Sequence, residues 1–222
     1  MTFVVEHLGF SPDLVPYTDA WDRQKRYHQD VLDGRRESTL LVLEHEEVFT
    51  AGKRTESHER PTDGAPVIDV DRGGKITWHG PGQLVAYPIY RLADPKDVKL
   101  YVHQIEQAVI DLCAEYGITA TRVDGRAGVW LRGAAAPTAS GLPTFPAPDR
   151  KIAAIGIRIH EGVAMHGVAV NCSNAPQGFD SIVPCGIADA GVTTLSTELG
   201  RTVTPTDIAP RFIELLQTHI TA

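Results

Sequence analysis

The sequence has 222 residues, of which 42% are hydrophobic and 22% are charged. These fractions are typical of a globular protein, and they exclude wholesale disorder, collagen-like repeats and a coiled coil. Acidic residues outnumber basic ones by 28 to 21, which gives a net charge of −7 at neutral pH. Non-specific nucleic-acid binding requires many cationic phosphate contacts, so we expect no nucleic-acid partner.

Length, apolar runs and cysteines set further limits. A chain of this length fits one domain, and we expect residues 1–222 to form a single domain. No run of about 18 apolar residues is present, so we expect no membrane span. The first residues lack the basic start and apolar run of a secretion signal, and Cys113, Cys172 and Cys185 are too few for a disulfide framework. A reducing, cytoplasmic location is therefore expected.

The first half of the chain predicts one helix among several strands. Apolar side chains from Tyr17 to Leu32 recur at three- and four-residue steps, which predicts a helix that ends at Asp33 and Gly34. Short apolar runs on either side of this helix predict buried strands. One of these strands begins at Val4, and the other three cover residues 39–43, 67–70 and 83–87.

The second half predicts two strand pairs between two helices. The stripe from Val98 to Cys113 predicts a helix that Gly117 ends. Another helix is predicted at the C-terminus, beginning near Pro210 because proline disrupts a helix interior. The predicted strand pairs are 119–123 with 128–131, and 151–160 with 163–170.

One segment differs in composition from its surroundings. Residues 133–150 include four prolines, two glycines and only two charged side chains, which predicts a long flexible loop. Strands outnumber helices and their order is mixed. We therefore predict an α/β (α+β) fold, with a mixed β-sheet and flanking helices that lie mostly on one side.

Common cofactor motifs are incomplete in this sequence. AGKR at 51–54 and GPGQLV at 80–85 each lack residues that a phosphate-binding loop requires, so neither favours a nucleotide site. The nine histidines include no HExxH motif, and no paired CxxC is present. No metal site is predicted, although the fold could bring His79 and His166 together.

The three cysteines differ in their surroundings. Cys113 lies on an apolar helix face and is predicted to be a core residue. Cys172 follows a predicted strand, where a core residue and a chemically active thiol both fit. Cys185 lies in a VPCGI turn, where an accessible nucleophile and an inert loop cysteine both fit. The glycine-rich stretch 72–83 likewise fits a ligand-binding loop or a structural hairpin.

Four segments together resemble one family. They are RGGKITWHGPGQ at 72–83, KIAAIG at 151–156, HGVAVN at 166–171 and PCG at 184–186. Their sequences and order resemble those of the lipoyl(octanoyl) transferases, which act in lipoate assembly. The resemblance implies the fold shared by lipoate and biotin protein ligases, with residues 1–222 as one acyltransferase domain.

The resemblance also implies a reaction. An octanoyl group would pass from octanoyl-acyl carrier protein to Cys185 and then to a lysine of a lipoyl domain. Lys151 matches the lysine that activates this cysteine. The implied acceptors are lipoyl domains of 2-oxoacid dehydrogenase E2 subunits and the glycine cleavage H protein, and no cofactor is implied. The residues that match the family's acyl-substrate contacts are Arg72, Gly73, Gly74, Lys75, Ile76, Thr77, Trp78, His79, Ala154, Ile155, Gly156, Gly167, Val168 and Ala169.

A cysteine and a lysine suit two successive acyl transfers through one covalent intermediate. Free cysteine has a pKa of about 8.5 and free lysine a pKa of about 10.4, so a thiol proton already prefers the amine. The backbone near Gly167 or the side chain of His79 is expected to donate hydrogen bonds to the oxyanion. Small side chains are expected to leave room for an eight-carbon chain. They are Ala153, Ala154, Gly156 and Ala169.

Three other functions remain compatible with the sequence. The first two, on the same fold, are an ATP-dependent lipoate–protein ligase and a lipoyl amidotransferase. The third is a non-catalytic binder of acyl carrier protein. Cationic side chains near the motifs form either a docking patch for an acidic partner or scattered surface charges. They are Lys53, Arg54, Arg72, Lys75, Arg91, Arg150, Lys151 and Arg158.

Overall fold

The computed structural model describes residues 3–94, 97–133, 147–182 and 190–220. Strands outnumber helices in these ranges, and two short 3-10 turns lie at Ser57–Glu59 and Pro176–Phe179. The strands and helices in chain order are β1 (Val4–Gly9), α1 (Tyr17–Leu32), β2 (Thr39–Leu43), β3 (Val48–Ala51), β4 (Val67–Asp69), β5 (Thr77–His79), β6 (Gln83–Arg91), α2 (Val98–Glu115), β7 (Thr121–Val123), β8 (Arg126–Leu131), β9 (Arg150–His160), β10 (Val163–Asn171), β11 (Gly191–Val192), α3 (Leu195–Leu199) and α4 (Pro205–Ile220).

The elements with strong periodicity form where the sequence predicts them. This holds for α1, β2, α2 and the β9–β10 hairpin. At the start of α2, the Asp97 side chain accepts a hydrogen bond from the Leu100 N–H at 2.8 Å. Gly117 follows the helix at φ +75°, a left-handed conformation that glycine adopts at little cost. Capping at both ends therefore sets the predicted length of this helix.

The main sheet is mixed, as predicted. Within the described residues it contains eight strands in the order β1-β2-β6-β10-β9-β8-β7, with β11 pairing beside the start of β9. The β1–β2 and β11–β9 pairs are parallel, and the central pairs are antiparallel. A separate small sheet has the order β4-β3-β5.

Helices cover both faces of the main sheet. Leu40 and Val42 of β2 pack in the cluster that includes α2 and α4, whereas Leu41 and Leu43 pack against α1. This alternation follows the two-residue period of a strand. Every residue of β2 is buried because both faces are covered, which explains its continuous apolar sequence. Two of the three long helices lie on one face, in agreement with the prediction.

The predicted start of the C-terminal helix is wrong. The helix begins at Pro205 and continues through Pro210. The Asp207 carboxylate accepts hydrogen bonds from the Thr204 N–H at 2.7 Å and from its hydroxyl at 2.8 Å, which stabilises the first turn. Ile208 and Phe212 are fully buried on either side of Pro210. Burying each such side chain stabilises the fold by roughly 1.5–3 kcal/mol. Two of them therefore offset the destabilisation of about 3 kcal/mol caused by a proline inside a helix.

The small sheet is the main element that the sequence analysis missed. Its strands β3 and β5 have four and three residues, too short for a clear periodic signal. Most of the predicted loop 133–150 lies outside the described residues. None of the described helices is long and apolar enough to cross a membrane.

Candidate active site

A cleft of about 470 Å³ lies between the main sheet and the glycine-rich segment 72–75. This volume falls within the range of about 300–1,000 Å³ that is typical of small-molecule sites. Residues from three of the four recognised segments line it. Of the predicted site residues, those at the cleft are Arg72, Gly73, Gly74, Lys75, Thr77, His79, Lys151, Ala154, Ile155, Gly156, Gly167, Val168 and Ala169.

Ile76 and Trp78 are the described site candidates that do not line the cleft. Both are buried in a separate apolar cluster with Phe179 and Ile182. Ile76 immediately precedes β5 and Trp78 lies within it, and both alternate with Thr77 and His79, so the extended chain divides this motif between two faces. Ala153, expected to make room for the acyl chain, also packs in the main core.

Arg72 anchors the glycine-rich segment through its guanidinium. Nη1 donates to the backbone oxygens of Gly73 and Lys75 at 3.0 and 2.8 Å, and Nη2 donates to the Thr50 carbonyl at 2.8 Å. These bonds attach the segment to β3. Arg72 therefore has a structural role at the cleft. Its positive charge also lies in the cleft wall.

The glycines allow this segment to lie directly on β9. The Gly73 N–H donates to the Ile157 carbonyl at 2.9 Å. A Cβ on Gly156 would lie 2.8 Å from Cδ of Arg72, closer than real Cβ contacts allow. Any larger residue at 156 would therefore displace the Arg72 side chain and change the cleft wall.

Lys151 is buried at the start of β9, with 6% of its surface exposed. Its Nζ donates to the Ala127 carbonyl at 3.1 Å and lies 4.5 Å from the ring centroid of Trp130. Within the described residues, this ammonium forms no ion pair. Gly128 makes space for it, because a Cβ there would lie 3.3 Å from Cε of Lys151. The fold thus positions a buried positive charge at the cleft.

Cys185 lies outside the described residues, whereas the other two thiols are fully buried. Cys113 packs in the main core as predicted, and burial raises its pKa to about 12. Burial also raises the pKa of Cys172, whose Sγ lies 3.4 Å from the Val170 carbonyl. Neither thiol forms a thiolate readily at neutral pH, which the nucleophile of an acyl transfer requires.

Two neutral histidines and two tyrosines line or support the cleft. Burial lowers the pKa of His79 to about 3 and that of His45 to about 4. Nδ1 of His45 donates to the Val15 carbonyl at 2.8 Å, so its Nε2 accepts the Tyr87 hydroxyl at 2.8 Å. The Tyr17 ring lies 6.0 Å from that of His79 in a stacked arrangement.

His166 occupies an unusual position within β10. Its φ is +60°, a left-handed conformation that is rare outside glycine. Strand alternation would place its side chain with Ala164 and Val168 on the α2 face. Instead its Nε2 lies 2.7 Å from Oδ1 of Asp71, the residue before the glycine-rich segment, and its ring lies beside that of Tyr87. The irregular backbone therefore turns the histidine towards the cleft.

The His166 contact belongs to a small network of charged side chains. Asp71 Oδ2 accepts from Arg158 Nη1 at 2.6 Å, and the hydrogen bond with His166 lowers the pKa of Asp71 to about 2. Burial lowers the pKa of His166, although Asp71 opposes that shift. The sequence analysis did not select Asp71 or Tyr87. The sequence signal that could have identified His166 as a site residue is its position immediately before Gly167, in a segment that resembles the family.

The buried histidines predict a dependence of stability on pH. The usual histidine pKa is 6.5, so between about pH 6.5 and 4 the unfolded chain binds protons that folded His45 and His79 do not. Stability should therefore fall as the pH falls through this window, by up to about 1.4 kcal/mol per pH unit for each ring. Urea unfolding across this range would measure the slope.

A His45→Gln variant provides the control for this prediction. Its slope should be smaller than that of the unmodified chain by about one histidine's contribution, even if its stability is lower throughout. A stability that does not change over this range in the unmodified chain would contradict the assignment of buried, neutral rings.

No group of three or more metal-ligating side chains occurs in the described part of the chain. Apolar side chains and glycines line the cleft together with two histidines and the buried Arg72 and Lys151. Such a site can hold an acyl chain beside a group that moves protons.

Comparisons with known proteins decide the family. The model of the lipoyl protein ligase A/B catalytic domain matches residues 16–217. An octanoyltransferase of Clavibacter sepedonicus is 57% identical over 212 residues, covering 96% of this chain and 87% of that protein. An octanoyltransferase of Arthrobacter sp. (strain FB24) is 51% identical, covering 99% of this chain and 94% of that protein. The chain belongs to the octanoyltransferase family.

Solved structures agree with the predicted fold. A putative lipoate protein ligase from T. acidophilum with bound lipoic acid has a TM-score of 0.66 at 12% identity, covering 100% of this chain and 87% of its own. A biotin protein ligase from Aquifex aeolicus, in complex with biotin and ATP, has a TM-score of 0.54 at 11% identity. The match covers 98% of this chain and 70% of that one. The predicted ligase-like fold is confirmed, and family membership confirms the prediction of an acyltransferase.

Proposed function

We propose that this chain transfers an octanoyl group from octanoyl-acyl carrier protein to Cys185 and then to the lysine of a lipoyl domain. Lys151 moves the protons in both steps. The observation that carries the proposal is the buried Lys151 ammonium, which lies in a cleft lined by the family's motif residues. The acceptors are lipoyl domains of 2-oxoacid dehydrogenase E2 subunits and the glycine cleavage H protein.

The first step is an exchange between two thioesters. In the resting pair Lys151 already holds the proton of the Cys185 thiol as an ammonium, and the thiolate sulfur forms a bond with the octanoyl carbonyl carbon. The bond between that carbon and the carrier sulfur then breaks. Lys151 returns the proton to the departing carrier thiolate, so the ammonium and amine forms alternate.

The second step is an aminolysis. The lysine amine of the acceptor forms a bond with the carbonyl carbon, and the bond to the Cys185 sulfur breaks. Lys151 takes a proton from the attacking amine and delivers it to the leaving thiolate. The amide product is more stable than the thioester, which favours transfer in this direction.

The surroundings of Lys151 support this role. A carbonyl oxygen and an aromatic face contact its ammonium, but no carboxylate of the described residues neutralises it. A nearby positive charge in a poorly solvated site favours the thiolate form of a cysteine. The small residues Ala154, Gly156 and Ala169 leave the adjacent wall open for an alkyl chain.

Donor and nucleotide requirements test the proposal. Purified chain, octanoyl-acyl carrier protein and a lipoyl domain should yield octanoylated domain without any nucleotide. An ATP-dependent ligase would instead require ATP with free octanoate, and an amidotransferase would take the group from an octanoylated protein. Transfer that requires ATP, or that occurs only from a protein-bound donor, would contradict the proposed reaction.

The docking of the carrier protein is expected to depend on Lys53 and Arg54. Six of the eight candidate cations are buried or hydrogen bonded to other groups of the protein. Lys53 and Arg54 are exposed, and Arg54 lines the cleft. The resemblance implies an acidic carrier, so Lys53→Glu with Arg54→Glu should raise the KM for octanoyl-carrier protein by about fivefold to tenfold and change kcat less.

A matched control for this pair is Lys25→Glu with Arg26→Glu on α1. Both residues are exposed, neither lines the cleft, and the change in net charge is the same. If the two double variants give the same KM, or if the KM of the unmodified chain does not change with salt, the docking role of Lys53 and Arg54 is wrong.

A further inference from the structure

A hydrogen-bonded relay runs from Asn171 through Gln83 to His79. Gln83 Nε2 donates to Asn171 Oδ1 at 2.9 Å and also points to the Trp78 backbone oxygen at 3.5 Å. The Trp78 carbonyl can only accept, and Asn171 presents its Oδ1 to the same atom, so the amide nitrogen of Gln83 faces both. Its Oε1 consequently faces Nδ1 of His79, at 2.7 Å.

This arrangement determines the tautomer of His79. An amide oxygen only accepts, so Nδ1 must carry the ring proton. Burial, together with the positive charge of Arg72, keeps the ring neutral by lowering its pKa. Nε2 is then an acceptor with a lone pair, and it is the nitrogen left for a ligand in the cleft that His79 lines.

The relay lies at the same end of the sheet as Lys151. Gln83 pairs with Asn171 across β6 and β10, and the preceding Val170 pairs with Ala153, two residues from Lys151. His79 and Lys151 both line this cleft. His166, in contrast, pairs with Ile157, six residues along β9 from Lys151, or about 20 Å at about 3.3 Å per residue.

We propose that Gln83 is a positioning residue that holds His79 in the Nδ1–H tautomer, so that Nε2 accepts a hydrogen bond from the attacking lysine amine. The identity of that amine rests on the proposed function. An amine N–H is a much stronger donor than a thiol S–H, so the contact acts on discharge of the acyl-enzyme rather than on its formation. Lys151 still takes the proton, and His79 does not donate to the oxyanion.

Nuclear magnetic resonance tests the tautomer directly. Long-range nitrogen–proton correlations of ¹⁵N-labelled chain should show His79 protonated at Nδ1, with the signals assigned by their loss in His79→Asn. Gln83→Met removes the acceptor and should release the ring to a mixture of tautomers. Gln83→Glu keeps an acceptor oxygen and should preserve the Nδ1–H form, while the carboxylate raises the pKa of the ring.

Single-turnover kinetics test the role in transfer, with octanoyl-carrier protein as donor and a lipoyl domain as acceptor. Gln83→Met should slow discharge by about tenfold, equivalent to about 1.4 kcal/mol, and change acyl-enzyme formation far less. Gln83→Glu should recover most of the discharge rate and show an altered pH profile. Gln29→Met, at an exposed site on α1, is the control for the substitution itself.

Either of two results would overturn the proposal: protonation of His79 at Nε2 in the unmodified chain, or equal discharge rates for Gln83→Met and the unmodified chain. If the unmodified chain shows no octanoyl transfer, the proposed function fails. An Nδ1–H tautomer that is lost only in Gln83→Met would still support the positioning role of Gln83.

Discussion

Replacing Cys185 with alanine should abolish octanoyl transfer to a lipoyl domain. The covalent route requires an accessible thiolate, and without it the rate should fall by at least about a thousandfold. Measuring octanoylated domain over time with saturating carrier protein tests this directly. The circular dichroism spectrum should not change, because the substitution removes one sulfur atom from a residue that lies between a proline and a glycine in the sequence.

Cys113→Ala and Cys172→Ala are the matched controls. Both side chains are fully buried, and burial raises both thiol pKa values. Each substitution leaves a small cavity and should lower the melting temperature, while the transfer rate at a temperature where the chain is folded should remain within about twofold. If Cys185→Ala retains activity and one of the controls loses it, the nucleophile has been assigned to the wrong thiol.

Replacing Lys151 should separate the two functions of its side chain. Lys151→Arg keeps a positive charge but cannot accept a proton near neutral pH. The thiolate should still be stabilised, so weak formation of the acyl-enzyme should survive. Discharge should fall by about 10²–10⁴-fold, the usual contribution of a general base, because the attacking amine cannot lose its proton.

Lys151→Ala should impair both steps, since it removes the charge and the base together. Rapid-quench sampling with mass detection times the formation and the decay of the acyl-enzyme separately. The alternative is that Lys151 only binds an acidic partner. In that case saturating concentrations of the carrier protein and the lipoyl domain would restore the transfer rate. Discharge by Lys151→Arg at the rate of the unmodified chain would exclude a proton-transfer role.

The sequence predicted the parts of the fold that depend on long, regular patterns. The helices α1 and α2, the buried strand β2 and the β9–β10 hairpin formed with bounds close to those expected, because each has many residues contributing to one signal. The start of α4 could not be predicted from Pro210, because the burial of Ile208 and Phe212 in the tertiary structure offsets the cost of a proline inside the helix.

Most of the site could be predicted as a set of residues but not as an arrangement. The motif at 72–83 could not be divided into cleft and core residues without knowing that 77–79 is a strand. Only that alternation separates Thr77 and His79 from Ile76 and Trp78. The orientation of His166 depends on a positive φ that no side-chain pattern records. Asp71 contacts it from 95 positions away in the chain.

The most direct test of the account is to locate the acyl group on the protein. The chain would be incubated with octanoyl-carrier protein without an acceptor, then digested and mapped by mass spectrometry. We predict one octanoyl group, on the peptide that contains Cys185, which disappears when a lipoyl domain is added. An acyl group on Cys113 or Cys172, or full transfer to the domain without any acyl-enzyme, would contradict the account.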